Sequence, residues 1–296
     1  MHSIKSRWPH ENTIKVEWNL GKRCNYDCTY CPAEIHDNHS PHTDIGILKS
    51  AVRELVKAGN IRLSFTGGEP SVHPQIEKLL SYSKEQGVKW INMTTNGTRL
   101  ASWYKEQEKF IDHYNFSIHF ENDWLKVLST IIEYNKDSDI PKFVNVMAHH
   151  DYMNEVRHVV NDFKENAVPF ALRRIRWTEG DHDDFDDERY SPEDKEWLLS
   201  QTATAEPNTL IDNDRLMHPN DIIKEHLNQF KGWQCNIGLE SLMINWDGYV
   251  HRATCRVGGS LGNIYQGTFI PPTDPIICDR NWCTCAADIP ITKSKV

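Results

Sequence analysis

"FSIHFE" occupies residues 116–121, and its strict alternation decides what kind of sheet the chain builds. Successive strand side chains leave opposite faces, so Phe116, Ile118 and Phe120 point one way and Ser117, His119 and Glu121 the other. Helices must cover the apolar row, which leaves the polar row facing the space inside a curled sheet. Five more segments are β-rich: "IKVEWNL" (14–20), "IRLSFTG" (61–67), "VKWINMTTN" (88–96), "KFVNVMAHH" (142–150) and "FALRRIRW" (170–177). Between them run amphipathic stretches such as "ILKSAVRELVKAG" and "MNEVRHVVNDFKE", with apolar residues three and four apart. Six βα units in succession predict a parallel sheet with helices on its outside. The alternation assigns Glu17, Asn19, Ser64, Thr66, Asn92, Thr94, Asn96, Asn145, Met147 and His149 to the inner face, with Arg174 and Arg176 on the last strand. A filled eight-stranded barrel packs bulky aliphatics inside. The expected fold class is therefore α/β, a partial (β/α)6 TIM-like barrel with a wet, open interior.

Composition sets the class of protein. The chain has 296 residues, 39% hydrophobic and 25% charged, as ordinary soluble globular proteins do. No basic segment followed by an apolar core opens it, and no apolar run reaches the roughly 18 residues of a membrane span, so a cytoplasmic location and no membrane partner are expected. A net charge of −9 argues against a nucleic-acid partner, which needs a basic face. The run "EGDHDDFDDE" (179–188) holds seven of the acids and reads as a solvated loop.

Eight cysteines fall into two groups, Cys24, Cys28 and Cys31, then Cys235, Cys255, Cys278, Cys283 and Cys285. Tight clusters without a spread of partners point to metal or redox chemistry rather than a disulfide framework. In "KRCNYDCTYCP" (22–32) the three thiols follow the first strand and sit over the carboxyl-terminal mouth, where such folds build their sites. Three protein ligands leave one coordination position for chemistry, whereas structural zinc closes with four. After the second strand comes "TGGEP" (66–70), whose paired glycines expose backbone for close approach.

Together, C-x3-C-x2-C and GGEP resemble the radical S-adenosylmethionine (radical SAM) superfamily over roughly residues 12–177. The resemblance implies that Cys24, Cys28 and Cys31 hold a [4Fe–4S] cluster whose fourth iron is chelated by S-adenosylmethionine. It further implies contacts from Gly67, Gly68 and Glu69 to the methionine amino group, and Tyr30 near adenine. Ser117 and His119 fall where the family meets the ribose or methionyl carboxylate, and "TTNG" (94–97) resembles the third-strand pattern, with Thr94 and Asn96 at the cofactor. Asn145 joins the cofactor-facing row, and Arg174 and Arg176 are placed to hold a carboxylate or an anionic substrate.

The second cysteine group runs from "GWQC" through the hairpin "SLMINWDGYVHRAT" to "CDRNWCTC", which resembles the SPASM or shorter twitch extensions of that superfamily. Five cysteines are too few for two fully ligated clusters, so one auxiliary [4Fe–4S] cluster is expected, with tetrahedral zinc as the alternative. Cys235 and Cys255 bracket the hairpin. Residues two apart on an extended chain share a face, so Cys283 and Cys285 are the expected remaining ligands, leaving Cys278 after the apolar "PII" as the odd one. The domain reading is an extension (1–13), the barrel (14–190), a helical connector (191–231) and the auxiliary segment (232–296).

The resemblance implies a 5′-deoxyadenosyl radical that takes hydrogen from a polar substrate, with a ferredoxin- or flavodoxin-type electron donor. A dehydrogenation of a small alcohol or sugar-like molecule is the leading expectation. A peptide-modifying maturase is the alternative, weakened by the lack of a visible peptide-recognition domain before residue 14. A non-catalytic iron–sulfur electron carrier needs neither the GGEP loop nor a hollow barrel.

Overall fold

The computed structural model describes residues 1–6, 13–175, 188–201 and 207–296. Arg176 and nearly all of the acidic run lie outside them. The chain order is β1 (Ser3–Ser6), β2 (Thr13–Asn19), α1 (Ile45–Ala58), β3 (Asn60–Thr66), α2 (Ile76–Glu85), β4 (Trp90–Thr95), α3 (Ala101–Gln107), β5 (His113–Ile118), α4 (Trp124–Asp137), β6 (Lys142–Ala148), α5 (Met153–Glu165) and β7 (Phe170–Arg174). Next come α6 (Pro192–Ser200), β8 (Thr209–Ile211), β9 (Arg215–Met217), α7 (Pro219–Lys224), β10 (Gln234–Cys235), β11 (Ser241–Ile244), β12 (Tyr249–His251), β13 (Ser260–Asn263), β14 (Ile276–Ile277) and β15 (Lys293–Ser294).

Strands β2 to β7 pair in sequence order and all in parallel, each joined to the next by a helix. The helix-side rows are the alternating apolar residues: Val16 and Trp18, Leu63 and Phe65, Ile91 and Met93, Tyr114 and Phe116, Val144 and Val146 are all buried. The helices present matching stripes, Leu48, Val52 and Leu55 on α1 and Val156, Val159 and Phe163 on α5, also buried. Each such side chain contributes about 1.5–3 kcal/mol by leaving water. Side-chain caps fix the helix starts. Asp44 accepts from the amides of Gly46 and Ile47, and Ser191 accepts from that of Asp194.

The opposite face carries the polar row. Asn92 donates to Ser64 Oγ at 2.7 Å, and His113 Nδ1 lies 2.7 Å from Asn92 Oδ1, linking three strands across the inner surface. Because parallel register keeps paired residues on one face, the last strand corrects the expectation. Asn145 pairs with Ala171 and Met147 with Arg173, whereas Arg174 pairs with Ala148 on the helix side. Arg173 is the inward arginine, and its guanidinium donates to Asn145 Oδ1 at 2.8 Å and to Asn220 Oδ1 at 2.6 Å. Two successive arginines made the alternation ambiguous; the ladder resolves it in favour of the first.

The C-terminal segment is sewn onto the barrel. Strand β11 pairs in parallel with β2, so the nine-stranded sheet runs β13-β12-β11-β2-β3-β4-β5-β6-β7. Trp18 Nε1 donates to Tyr265 Oη at 3.0 Å across this seam. A second, six-stranded sheet, β14-β10-β15-β1-β8-β9, gathers the amino-terminal extension, the connector and the C-terminal segment. Its antiparallel ladders join pieces that the sequence division separates.

Candidate functional site

The loop after β2 carries Cys24, Cys28 and Cys31 over the carboxyl ends of the parallel strands. Its position is set from below by the two glycines. Gly67 and Gly68 have φ of +79° and +49°, and a Cβ on Gly68 would lie 2.3 Å from the Arg23 carbonyl oxygen. One on Gly67 would lie 2.7 Å from Asn19 Cα. Glu69 N then donates to Arg23 O at 3.0 Å. The glycines thus serve a close approach of the protein to itself, which holds the residues just before Cys24 against the second loop.

Glu69 is buried, and its carboxylate is occupied within the protein. Oε1 accepts from Ser71 N at 2.9 Å and Thr95 Oγ1 at 2.8 Å, and Oε2 accepts from Asn96 N at 2.6 Å. Burial pushes its carboxyl up, and these donors hold it down. Its visible work is to pin the end of β4 to the loop. That places Asn96, whose amide donates to Asn25 Oδ1 at 2.8 Å and approaches Cys24 Sγ at 3.9 Å. Tyr26 N donates to Cys24 Sγ at 3.4 Å. Asn122, on the loop after β5, donates to Cys28 Sγ at 3.3 Å.

Around the thiols stands an aromatic and imidazole group. Tyr30 Oη lies 2.6 Å from His119 Nδ1, and the two rings stack with centroids 6.0 Å apart. Burial lowers His119 to about 4, against the nearby Glu121 charge. Glu121 accepts from Thr29 N at 2.7 Å and Thr29 Oγ1 at 2.5 Å, and contacts His149 Nε2 at 3.2 Å. Tyr30 and His119, expected near the cofactor, come together with His149 of the inner row; Ser117 is buried on the same inward row. Thr94 lies on that row too, while Asn145 sits farther round with Arg173. Asn25, Glu121, Asn122 and Arg173 were not among the expected site residues. Their signal was position, since Glu121 and Asn122 immediately follow the strand that fixes the register.

The donor set fits an iron–sulfur cluster. Burial raises Cys24 to about 11 and Cys31 to about 12, and the neighbouring thiols add to it, so three thiolates here require a bound cation. Among the described residues, no three cysteine sulfurs all lie within 4.8 Å of one another. A single tetrahedral zinc, at about 2.3 Å from each sulfur, would draw its thiolates to about 3.8 Å. The N–H donors from Tyr26 and Asn122 suit the thiolates of a cluster.

The second cysteine group lies against the other edge. Cys235 on β10 pairs with Ile276 on one side and Lys293 on the other. Cys278 N donates to Trp233 O at 2.9 Å, extending the β10–β14 ladder, so Cys278 and Cys235 leave the same face. Burial raises Cys255 to about 11, and Asp288, Cys235 and Cys278 add to it. Cys283 is raised mainly by burial, with Asp288, Cys285 and Cys255 contributing. Cys285 is raised to about 12 by burial, then by Asp288 and by Glu17 from β2. Cys278 thus leaves the sheet on the face of Cys235, a placement that the spacing of Cys283 and Cys285 did not suggest. The reason is the short β14 strand, which two apolar residues were too few to announce.

Comparison with known proteins agrees with this geometry. Residues 18–147 match the radical SAM superfamily. The S-adenosylmethionine-dependent nucleotide dehydratase RSAD2 of Danio rerio is 22% identical over 86% of this chain and 70% of its own length. The Fe-coproporphyrin III synthase of Methanosarcina barkeri is 33% identical, but over only 28% of this chain and 21% of that protein. Among solved structures, anSMEcpe with bound AdoMet and a Cp18Cys peptide superposes with a TM-score of 0.57 at 20% identity, covering 86% of this chain and 78% of that one. Streptococcus suis SuiB bound to the precursor peptide SuiA gives 0.56 at 13%, covering 86% and 63%. Over residues 18–147 the chain is similar to a radical SAM superfamily domain, and these residues are built as part of a partial barrel. S-adenosylmethionine and a [4Fe–4S] cluster are the cofactors of that domain.

Proposed function

We propose that the protein is a radical SAM oxidase of a small polar, alcohol- or sugar-like substrate, with Cys24, Cys28 and Cys31 as cluster ligands and a second iron–sulfur centre on Cys235, Cys255, Cys278 and Cys283. When bound, the cluster and S-adenosylmethionine supply a 5′-deoxyadenosyl radical that removes a hydrogen atom from substrate. The chain's own part is to position one C–H bond and exclude water. The polar inner rows, from Asn19 and Ser64 round to Asn145, supply hydrogen bonds to a hydroxylated substrate. Glu17, inward on β2, is the carboxylate placed to take the proton that a dehydrogenation releases.

The observation that carries the oxidative reading is the seam between β11 and β2. It sets Met243 beside Glu17 in register and brings Cys285 within electrostatic reach of Glu17. Because this seam ties the segment that carries the proposed second centre to the first barrel strand, that centre is the candidate to receive the remaining substrate electron. Under this reading the N-terminal extension and connector, joined through the second sheet, hold that centre to the barrel. No described helix is long and apolar enough to cross a membrane.

The test is anaerobic incubation of reconstituted, reduced protein with S-adenosylmethionine and a metabolite extract, followed by mass spectrometry. The reading expects 5′-deoxyadenosine together with a small product two hydrogens lighter than its precursor. A cross-linked peptide product would favour the maturase reading, and no 5′-deoxyadenosine would leave only an electron carrier.

A further inference from the structure

Lys293 is the most deeply buried lysine beside the C-terminal thiols, and nothing in the proposed reaction uses it. Its side chain is 3% exposed. Nζ donates to the carbonyl oxygens of Asp288 at 2.7 Å, Ile291 at 3.0 Å and Ile289 at 3.1 Å. Three simultaneous donations use three N–H bonds, which only the ammonium form has. All three partners are neutral. Among the described residues, no carboxylate oxygen lies within 4.0 Å of Nζ, since the Asp288 contact is through its backbone and its carboxylate instead accepts from Cys255 N at 3.3 Å. The buried Asp288 carboxylate feels this charge but makes no direct ion pair with Nζ, so the ammonium is not closed off by a single partner and remains open to a further anionic group.

The ladder shows what stands opposite. Lys293 pairs directly with Cys235 across β15 and β10, so both side chains leave one face, the face that Cys278 shares. The lysine charge lowers Cys235 and Cys283 against the rise that burial causes.

Resting on the proposed second centre, we infer that Lys293 is its built-in counter-cation: a positioning residue whose fixed positive charge stabilises the anionic thiolate–metal assembly and favours its reduced form. An added electron is drawn toward a nearby cation, so the charge makes the centre a better electron acceptor, as an oxidase requires.

The experiment uses the full chain with Cys24, Cys28 and Cys31 changed to alanine, so that only the C-terminal centre is loaded. Iron, sulfide and reduction potential are read for Lys293, K293M, K293Q and K293R. A unit charge within about 10 Å at an effective dielectric near 20 shifts a reduction equilibrium by roughly tenfold, or about 59 mV for one electron. K293M and K293Q should keep about four irons and fall in potential by at least that much, with K293R close to the parent. Loss of iron from both neutral variants with retention in K293R also supports the inference, because the charge alone distinguishes them. An unchanged potential in K293Q, which keeps N–H donors for the carbonyls, would overturn it and leave Lys293 a structural peg. Loss of iron in K293R as well overturns it too. No iron in the parent triple variant would defeat the second centre itself, and the inference with it.

Discussion

The two cysteine groups of this chain are built from different materials. Cys24, Cys28 and Cys31 hang on one loop between β2 and α1, steadied from neighbouring loops by Glu69, Asn96 and Asn122. Cys235 and Cys278 are fixed by antiparallel ladders, with Cys255 and Cys283 brought in by hydrogen bonds to Asp288 and Asn228, and a buried lysine across the strand. A three-thiol loop at an open mouth leaves room for a cosubstrate. The proposed four-thiol assembly, set between strands with a charge beside it, is the arrangement that the oxidase reading assigns to electron transfer. Local sequence builds the first, and contacts across the whole chain build the second.

The sharpest way to break this contrast is to remove the loop thiols. The variant with Cys24, Cys28 and Cys31 all replaced by alanine should release no 5′-deoxyadenosine, and any release above background would contradict the assignment. Next in size is Glu69→Gln. An amide nitrogen would face the Asn96 or Ser71 N–H, leaving buried donors unsatisfied at a cost of about 3 kcal/mol. Chemical denaturation should show that loss while the C-terminal centre keeps its iron. Equal loss of both centres would mean that they are not separately built.

His113 belongs to neither centre and tests the inner row by itself. Burial and then Arg62 lower it to about 4, below the ordinary 6.5. The unfolded chain therefore takes up the proton first, so this stability is present above about pH 6.5 and drains as pH falls toward 4. At pH 5 the loss is about 2 kcal/mol. His113→Gln should flatten the drop in melting temperature between pH 7.5 and 5; an unaltered drop would remove His113 from the buried inner row. The smallest effect is at the seam. Tyr265→Phe leaves Trp18 Nε1 without its partner, costing about 1 kcal/mol. Reduced iron in the C-terminal centre should accompany it if β11 docking supports that centre, whereas full occupancy would separate the two.

Much of the barrel was legible because period-2 alternation survives in short strands. Phe116, Ile118 and their polar neighbours predicted their faces, and the same rule held for Asn92, Ser64 and Asn145. It failed at Arg173 and Arg174, where two like residues carry no alternation. The first cysteine loop was legible as a local motif. The fate of Cys278 was not, because it depends on a two-residue strand pairing with another two-residue strand some forty positions away. The seam between β11 and β2 is likewise a long-range pairing, invisible to a reading that divides the chain at residue 232. The packing partners of Gly67 and Glu69, namely Asn19, Arg23 and Asn96, were not legible either, since they come from other parts of the chain.

The central claim, two iron–sulfur centres of different construction around one cavity, is tested most directly by counting iron and acid-labile sulfide in the anaerobically reconstituted protein and in the Cys24, Cys28 and Cys31 triple variant. The account predicts about eight irons per chain falling to about four, with sulfide in step. About four irons falling to none, or zinc without sulfide in the triple variant, would contradict it.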